Sequence, residues 1–244
     1  MARFFVERLP LAGTEYELTG ENAAHARVLR LRPGEAVTLC DGRGSDCPCT
    51  VQESGTLLAG EALPCPAEPG LRAVLYLAFP KADKAEHVIQ KAVELGAAEI
   101  VFFPSRYCVS RPEGKALAGK LERWQRIARS AAEQSGRGVI PAVRALERYA
   151  AAVQEAAGAE LPVLFYENEA HYSLHDALAE AARAGGAPAA VSLMTGAEGG
   201  FSEEEIDLAR HSGMRICTLG PRILRCETAP LAGLTALMFA AGEM

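Results

Sequence analysis

The sequence contains no apolar run near the roughly 18 residues of a membrane-spanning helix. Its first residues, Met1-Ala2-Arg3-Phe4-Phe5-Val6-Glu7, hold no long apolar segment of a secretory signal. Both absences point to a cytoplasmic protein without a membrane partner. Cysteine pairs at the usual zinc spacing of about two to four residues are also lacking, since Cys47-Pro48-Cys49 has a single spacer. The seven cysteines are odd in number and irregularly placed, which predicts free thiols in a reducing compartment and no metal site, even where Cys40, Cys47 and Cys49 crowd together. Excess positive charge is absent too. The 25 Lys and Arg against 31 Asp and Glu give a net charge of −6, which excludes a whole-surface attraction to nucleic acid. Neither a G-x-G-x-x-G dinucleotide fingerprint nor a phosphate-binding P-loop occurs.

What is present is a large apolar fraction, 49% of 244 residues, enough for one large domain or a small and a medium one. The charge is uneven. Between Ser105 and Arg148 stand Arg106, Arg111, Lys115, Lys120, Arg123, Arg126, Arg129, Arg137, Arg144 and Arg148, opposed by Glu113, Glu122, Glu133 and Glu147. Such a stretch suits either a phosphate-tracking face or an ordinary solvated helix face.

Residues 1–71 read as a small β-rich unit. Strand candidates are Phe4-Phe5-Val6, Ala36-Val37-Thr38-Leu39 and Thr50-Val51-Gln52, between turn signals at Arg32-Pro33-Gly34-Glu35 and Asp41-Gly42-Arg43-Gly44-Ser45. From Glu21 to Leu31, Ala24, Val28 and Leu31 keep helical spacing. The proline-rich Pro64-Cys65-Pro66-Ala67-Glu68-Pro69-Gly70 is the natural linker.

Residues 72–244 alternate strands with helices, the pattern of an α/β domain with a parallel sheet. Val74 to Phe79 is a continuous apolar strand. Asp83 is placed to cap a helix with Ala85, Val88, Ile89, Ala92 and Val93 on one face, ended by Gly96. Ile100 to Phe103 is a strand, and a long amphipathic helix carries Leu117, Leu121, Trp124, Ile127 and Ala131, with Trp124 as a core residue. Further helices are expected at 150–158, 177–190 and 229–241, and strands at 162–166, 190–194 and 215–219. The last two strands feed two glycine-bearing stretches, Met194-Thr195-Gly196-Ala197-Glu198-Gly199-Gly200-Phe201-Ser202 and Leu219-Gly220-Pro221-Arg222-Ile223-Leu224-Arg225-Cys226-Glu227-Thr228. Gly196, Gly199 and Gly200 permit φ > 0 and close ligand approach, and Ser202 with Glu205 forms a capping-box pattern. Taken by spacing alone, the stretches equally suit two chain connections with turn glycines.

The pair G-x-E-G-G-F-S-x-x-E and L-G-x-R-I-L-R-x-E-T-A resembles the RsmE family of ribosomal RNA methyltransferases, members of the SPOUT superfamily. Ala197 departs from the family's usual Pro and Cys226 from its usual Thr. The stretches His25-Ala26-Arg27-Val28-Leu29-Arg30-Leu31-Arg32-Pro33-Gly34 and Lys81 to Arg137 are similar to the family as well. The resemblance implies a small N-terminal PUA-like β-barrel that holds RNA and a SPOUT-type C-terminal domain with a parallel sheet and a trefoil knot. It further implies S-adenosyl-L-methionine as cofactor, 16S ribosomal RNA of the small subunit as partner, a homodimer, and methylation of N3 of one uridine.

On that resemblance, Thr195, Gly196, Glu198, Gly199, Gly200, Leu219, Gly220, Ile223, Leu224 and Thr228 hold the cofactor. Arg225 stabilises charge developing on the uracil and Glu227 positions. Arg27, Arg30, Arg32 and Arg137 contact RNA, and His25 packs or caps. Two alternatives are a SPOUT enzyme methylating ribose 2′-O of transfer RNA and an RNA-binding protein with a decayed cofactor site.

Overall fold

The computed structural model describes residues 2–81 and 84–244. Asp83, the expected helix cap, lies outside them. The chain forms two compact units. The first comprises residues 1–68 with 129–140, and the second 69–128 with 141–244. The break after Glu68 falls inside the proline-rich linker, but a linear division at 71 does not foresee that a segment some sixty positions downstream joins the first unit.

In the first unit, strands β1 (Ala2–Phe5), β2 (Glu15–Tyr16), β3 (Ala36–Cys40), β4 (Ser45–Val51), β5 (Leu57–Ala59) and β6 (Leu63–Pro64) form a sheet of order β1-β3-β4-β5-β2, with β6 on β4. Only β1 and β3 run parallel; the other ladders are antiparallel. Inward residues alternate with outward ones along β4, where Cys47, Cys49 and Val51 are buried and Pro48 and Thr50 are not. Phe4, Val37, Leu39 and Leu57 complete this core. Pro48 masks β4 in the sequence, because proline offers no ladder N–H.

Helix α1 (Gly20–Leu29) corrects an expectation. Val28 is 78% exposed and no residue of the helix is buried. The attachment is made instead by Ala26 and by Leu31 beyond the helix end, which pack against the core. The His25 ring lies edge-on to Phe4 at 5.5 Å, and the Asn22 side chain donates to the Phe5 carbonyl at 2.8 Å.

The 129–140 segment brings a charged group into this unit. Arg137 is 3% exposed, and its Nη2 donates to Glu68 at 2.7 Å. The same carboxylate accepts the Gly138 and Val139 amides at 2.8 and 3.0 Å. Arg137 is therefore an internal ion-pair partner rather than the phosphate contact expected for it.

The second unit is a six-stranded parallel sheet flanked by helices. Its elements in chain order are β7 (Arg72–Ala78), α2 (Lys84–Glu94), β8 (Glu99–Phe103), α3 (Gly114–Ser135), β9 (Ala142–Ala145), α4 (Tyr149–Ala156), β10 (Leu161–Phe165), α5 (Leu174–Gly185), β11 (Ala190–Thr195), α6 (Glu203–His211), β12 (Arg215–Cys217) and α7 (Ala229–Ala240). The last turns of α3 belong to the first unit. The strand order is β12-β10-β11-β7-β8-β9. Every residue of β10 is buried and nearly all of β7 and β11, as strands covered on both faces require. Helix α2 buries Ala85, Val88, Ile89, Ala92 and Val93, the face its spacing predicts. Trp124 is a core residue, its ring 4.4 Å from Phe102. Helix α5 begins earlier than expected, because Ser173 and Asp176 form a capping box that fixes its start.

Several cations of the basic stretch have acidic partners. Arg106 pairs with Glu204, Arg123 with Glu86, Arg129 with Glu133, and Arg144 with Glu99 and Glu155. Acids both near in sequence, as Glu133, and distant, as Glu86 and Glu204, thus pair with part of what looks like a cationic face.

Candidate functional site

Four parallel strands, β7, β10, β11 and β12, end on the same side of the sheet, and the loops after β10, β11 and β12 enclose a cavity of about 850 Å³. Clefts beyond the carboxyl ends of parallel strands are the usual ligand sites of open α/β sheets. The loop after β11 turns sharply: the Gly200 amide donates to the Ala197 carbonyl at 3.0 Å. Its far end is fixed by Ser202, whose side chain caps α6 reciprocally with Glu205. Phe201 anchors the turn by stacking on Phe103 at 6.4 Å between ring centres, with Tyr149 at 5.7 Å.

The three glycines of this turn do different jobs. Gly200 alone has positive φ, +64°. Gly196 and Gly199 do not, correcting the expectation for them. A Cβ on Gly196 would meet the Gly200 backbone at 3.0 Å, and one on Gly199 would meet Tyr107 Cβ at 2.6 Å. Their lack of a side chain lets chain pack on chain. In the loop after β12, Gly220 has φ +105° and open space in front of it.

Of the residues expected to hold a cofactor, Thr195, Gly196, Glu198, Gly200, Leu219, Gly220, Ile223 and Leu224 line the cavity together with Arg225. Gly199, Thr228 and Glu227 are not among the lining residues. Glu167 and Glu169, from the loop after β10, line it as well. They sit in a polar turn that carries no motif in the sequence.

Lys84, at the first turn of α2, was also passed over. Its ammonium lies 3.1 Å from Glu198 Oε1 and 3.0 Å from Glu227 Oε2, joining the two loops. It also donates to Cys226 Sγ at 3.6 Å, and that thiol donates to Glu227 at 3.2 Å. The charges answer one another. The hydrogen bond from Lys84, with the backbone amide of Glu227 itself, lowers the Glu227 carboxyl to about 2, while the bonds Lys84 donates to Glu227 and Glu198 raise the lysine. Burial acts to raise Glu198, but amide bonds, including one from Lys81 at 3.1 Å, and the Lys84 ammonium outweigh it and lower the group. Burial, reinforced by Glu227, pushes the Cys226 thiol up to about 12, so it stays protonated and inert.

These residues suit S-adenosylmethionine by the chemistry of the donor set. Leu219, Ile223 and Leu224 offer apolar surface to an adenine, the backbone of Gly196 and Gly220 is accessible, and the Glu167 carboxylate suits a cation or ribose hydroxyls.

Comparison with known proteins agrees with this geometry. Residues 67–238 match the family model described as an RNA methyltransferase domain, and residues 18–58 match that of an RNA methyltransferase PUA domain. A Bacillus subtilis protein named ribosomal RNA small subunit methyltransferase E is 30% identical over 98% of this chain and 96% of its own length. The crystal structure of a ribosomal RNA small subunit methyltransferase E from Neisseria gonorrhoeae, bound to S-adenosyl methionine, superposes with a TM-score of 0.83 at 33% identity over 98% of both chains. A Legionella pneumophila methyltransferase in complex with the same cofactor gives 0.84 at 30% identity, covering 98% of this chain and 97% of the other.

Fold and site thus define an RNA methyltransferase that carries a PUA unit and uses S-adenosylmethionine. The α/β architecture and the cofactor expected from the sequence are both met. Within that class, the chain belongs to the ribosomal RNA small subunit methyltransferase E family.

Proposed function

We propose that the protein transfers a methyl group from S-adenosyl-L-methionine to N3 of a uridine in 16S ribosomal RNA, acting in the cytoplasm on the small subunit. The observation that carries the reading is the cavity between the β10, β11 and β12 loops, bounded by the two glycine motifs of the family. The bound cofactor supplies an activated methyl on a good leaving group, so the chain's task is mainly orientation and charge. Apolar Leu219, Ile223 and Leu224 hold the adenine and exclude water from it.

Uracil N3 carries a proton and lies on the pairing edge, so the base must be unpaired and must lose that proton. Arg225 is exposed on the cavity wall, and its guanidinium is the cation assigned here to the developing uracil anion. Glu227, held by Lys84, keeps its loop in position.

Arg27, Arg30 and Arg32 are exposed on the first unit and are our proposed RNA contacts. The chain's passage from β11 through α6 to the edge strand β12, followed by α7 packing back on β11, β7 and α2, supports a trefoil knot. Ile223 and Phe239, 83% and 75% exposed, support a homodimer that covers them.

The test is mass spectrometry of nucleosides from small subunits of cells with and without the gene. The expected result is loss of 3-methyluridine from 16S RNA. Unchanged 3-methyluridine, or loss of a ribose-methylated nucleoside instead, overturns the reading.

A further inference from the structure

The Lys84 ammonium is within hydrogen-bonding reach of carboxylates from both glycine motifs, Glu198 at 3.1 Å and Glu227 at 3.0 Å. These are separate segments of the chain, following β11 and β12, and both line one cavity. Lys84 itself belongs to neither wall. It stands at the start of α2, after β7. Among the described residues, neither Arg222 nor Arg225, the cations on the cavity wall, makes an ion pair. Among the described residues no other cation there joins the two loops.

We propose that Lys84 is a positioning residue, whose ammonium draws the Gly196–Gly200 loop and the 218–228 loop together and so sets the cavity that takes the methyl donor.

Three observations agree. First, a lysine in the first turn of a helix is at the wrong end of the macrodipole, where a cation is unfavourable. Two carboxylates and a thiol sulfur at its tip offset that placement. Second, both carboxylate oxygens approach the same nitrogen so closely that, without the cation, the two charges would repel each other and push the loops apart. Third, Glu198 also accepts the amide of Lys81, three positions before Lys84, and Glu227 accepts the thiol of its neighbour Cys226, so both carboxylates are further fixed around the ammonium. The 218–228 segment is tied at its ends, where Thr218 bridges to Ser173 and the Arg225 carbonyl accepts the Thr228 and Ala229 amides. Between those ends residues 219–225 form neither helix nor strand, and Ile223 is largely exposed. A loop so held is drawn from the least stable part of the fold, and one bridge can decide its population.

The proposal rests on the S-adenosylmethionine reading of this cavity, and the experiment separates the two. Cofactor affinity is measured by calorimetry for the full-length wild type, Lys84→Met, Lys84→Gln and Lys84→Arg. Amide hydrogen exchange of residues 218–228 is followed in all four without cofactor. Wild type that binds no cofactor refutes the cavity assignment itself.

With wild type binding, the expected result is about tenfold weaker affinity in the Met and Gln variants, as when the binding-competent loop population falls to about one tenth. Exchange in 218–228 should be faster even without ligand, and the Arg variant should recover most of both. Methylation assays should show the cofactor KM rising more than kcat falls. Wild-type affinity and exchange in Lys84→Met or Lys84→Gln overturn the proposal. So do variants that fail to fold, which would make Lys84 a general stability residue, and an Arg variant as impaired as Met.

Discussion

The Glu167 carboxylate occupies the space that a Cβ on Gly200 would fill. Gly200 is also the one residue of its loop with positive φ, +64°. Glycine at this position therefore answers two demands at once, a left-handed backbone and a neighbouring side chain packed against its Cα. Glu167 is unlike the other carboxylates lining the cavity. Glu198 is tied to Lys84, and Glu169 accepts the His171 and Tyr172 amides at 2.9 and 3.1 Å. Among the described residues, Glu167 has no hydrogen-bond or ion-pair partner.

Replacing Gly200 by alanine should consequently harm the site rather than the core. The added methyl imposes about 1–2 kcal/mol of left-handed strain and displaces Glu167 into the cavity. Calorimetry should show S-adenosylmethionine binding weakened by about tenfold or more, while circular dichroism reports a folded chain. Wild-type affinity in Gly200→Ala would remove the close approach of Glu167 from the account.

The bond between Lys84 and Glu227 predicts a pH dependence with a definite sign. Glu227 titrates at about 2 in the folded protein, below the roughly 4.3 of an unperturbed glutamate. A depressed carboxyl stabilises the fold above its unfolded pKa and loses that contribution as pH falls towards the folded value. Urea unfolding should show wild type more stable than Glu227→Gln at neutral pH. The gap should close between about pH 4 and about pH 2. A constant gap across that range would show that the charge of Glu227 is not what stabilises the loop.

The parallel sheet and its site were legible where local signals agree. Val74 to Phe79 is a continuous apolar run, Val191 to Met194 is a mostly apolar one with Gly196 just beyond, and the Ser202–Glu205 box marks where α6 starts. What escaped was long-range. Lys84 lies more than a hundred positions from either partner and looks like any helix-surface lysine. Arg137 looks solvent-facing until Glu68 is brought to it, and β4 is disguised by Pro48. Pairings of this kind are set by tertiary packing, which periodicity cannot encode.

Arg137 gives a stability prediction confined to the first unit. Arg137→Met leaves Glu68, 19% exposed, with two amide donors and no cation. Removing one partner of a buried pair costs about 3 kcal/mol. Chemical denaturation should register that loss. Cofactor affinity should hold, because every residue lining the cavity belongs to the second unit. A change of less than about 0.5 kcal/mol would mean the pair is solvated in solution.

Arg30 allows the proposed RNA role to be separated from stability. It caps α1 in the left-handed conformation, φ 53° and ψ 46°, with its amide donating to the Arg27 carbonyl. It is the one described non-glycine residue with positive φ. Glycine takes this conformation without strain and is the common residue at such helix ends. An arginine retained there at a cost of about 1 kcal/mol suggests that its exposed side chain is used. Arg30→Gly should then raise stability by up to about 1 kcal/mol. The same change should weaken binding to 16S RNA fragments and reduce the slope of log affinity against log salt by about 0.7 to 0.9, the loss of one phosphate contact. Thermal unfolding and a salt titration of RNA binding, run on the same preparations, would read both effects. A stabilised variant with unchanged affinity and salt slope would take Arg30 out of the RNA interface and leave Arg27 and Arg32 to be tested without it.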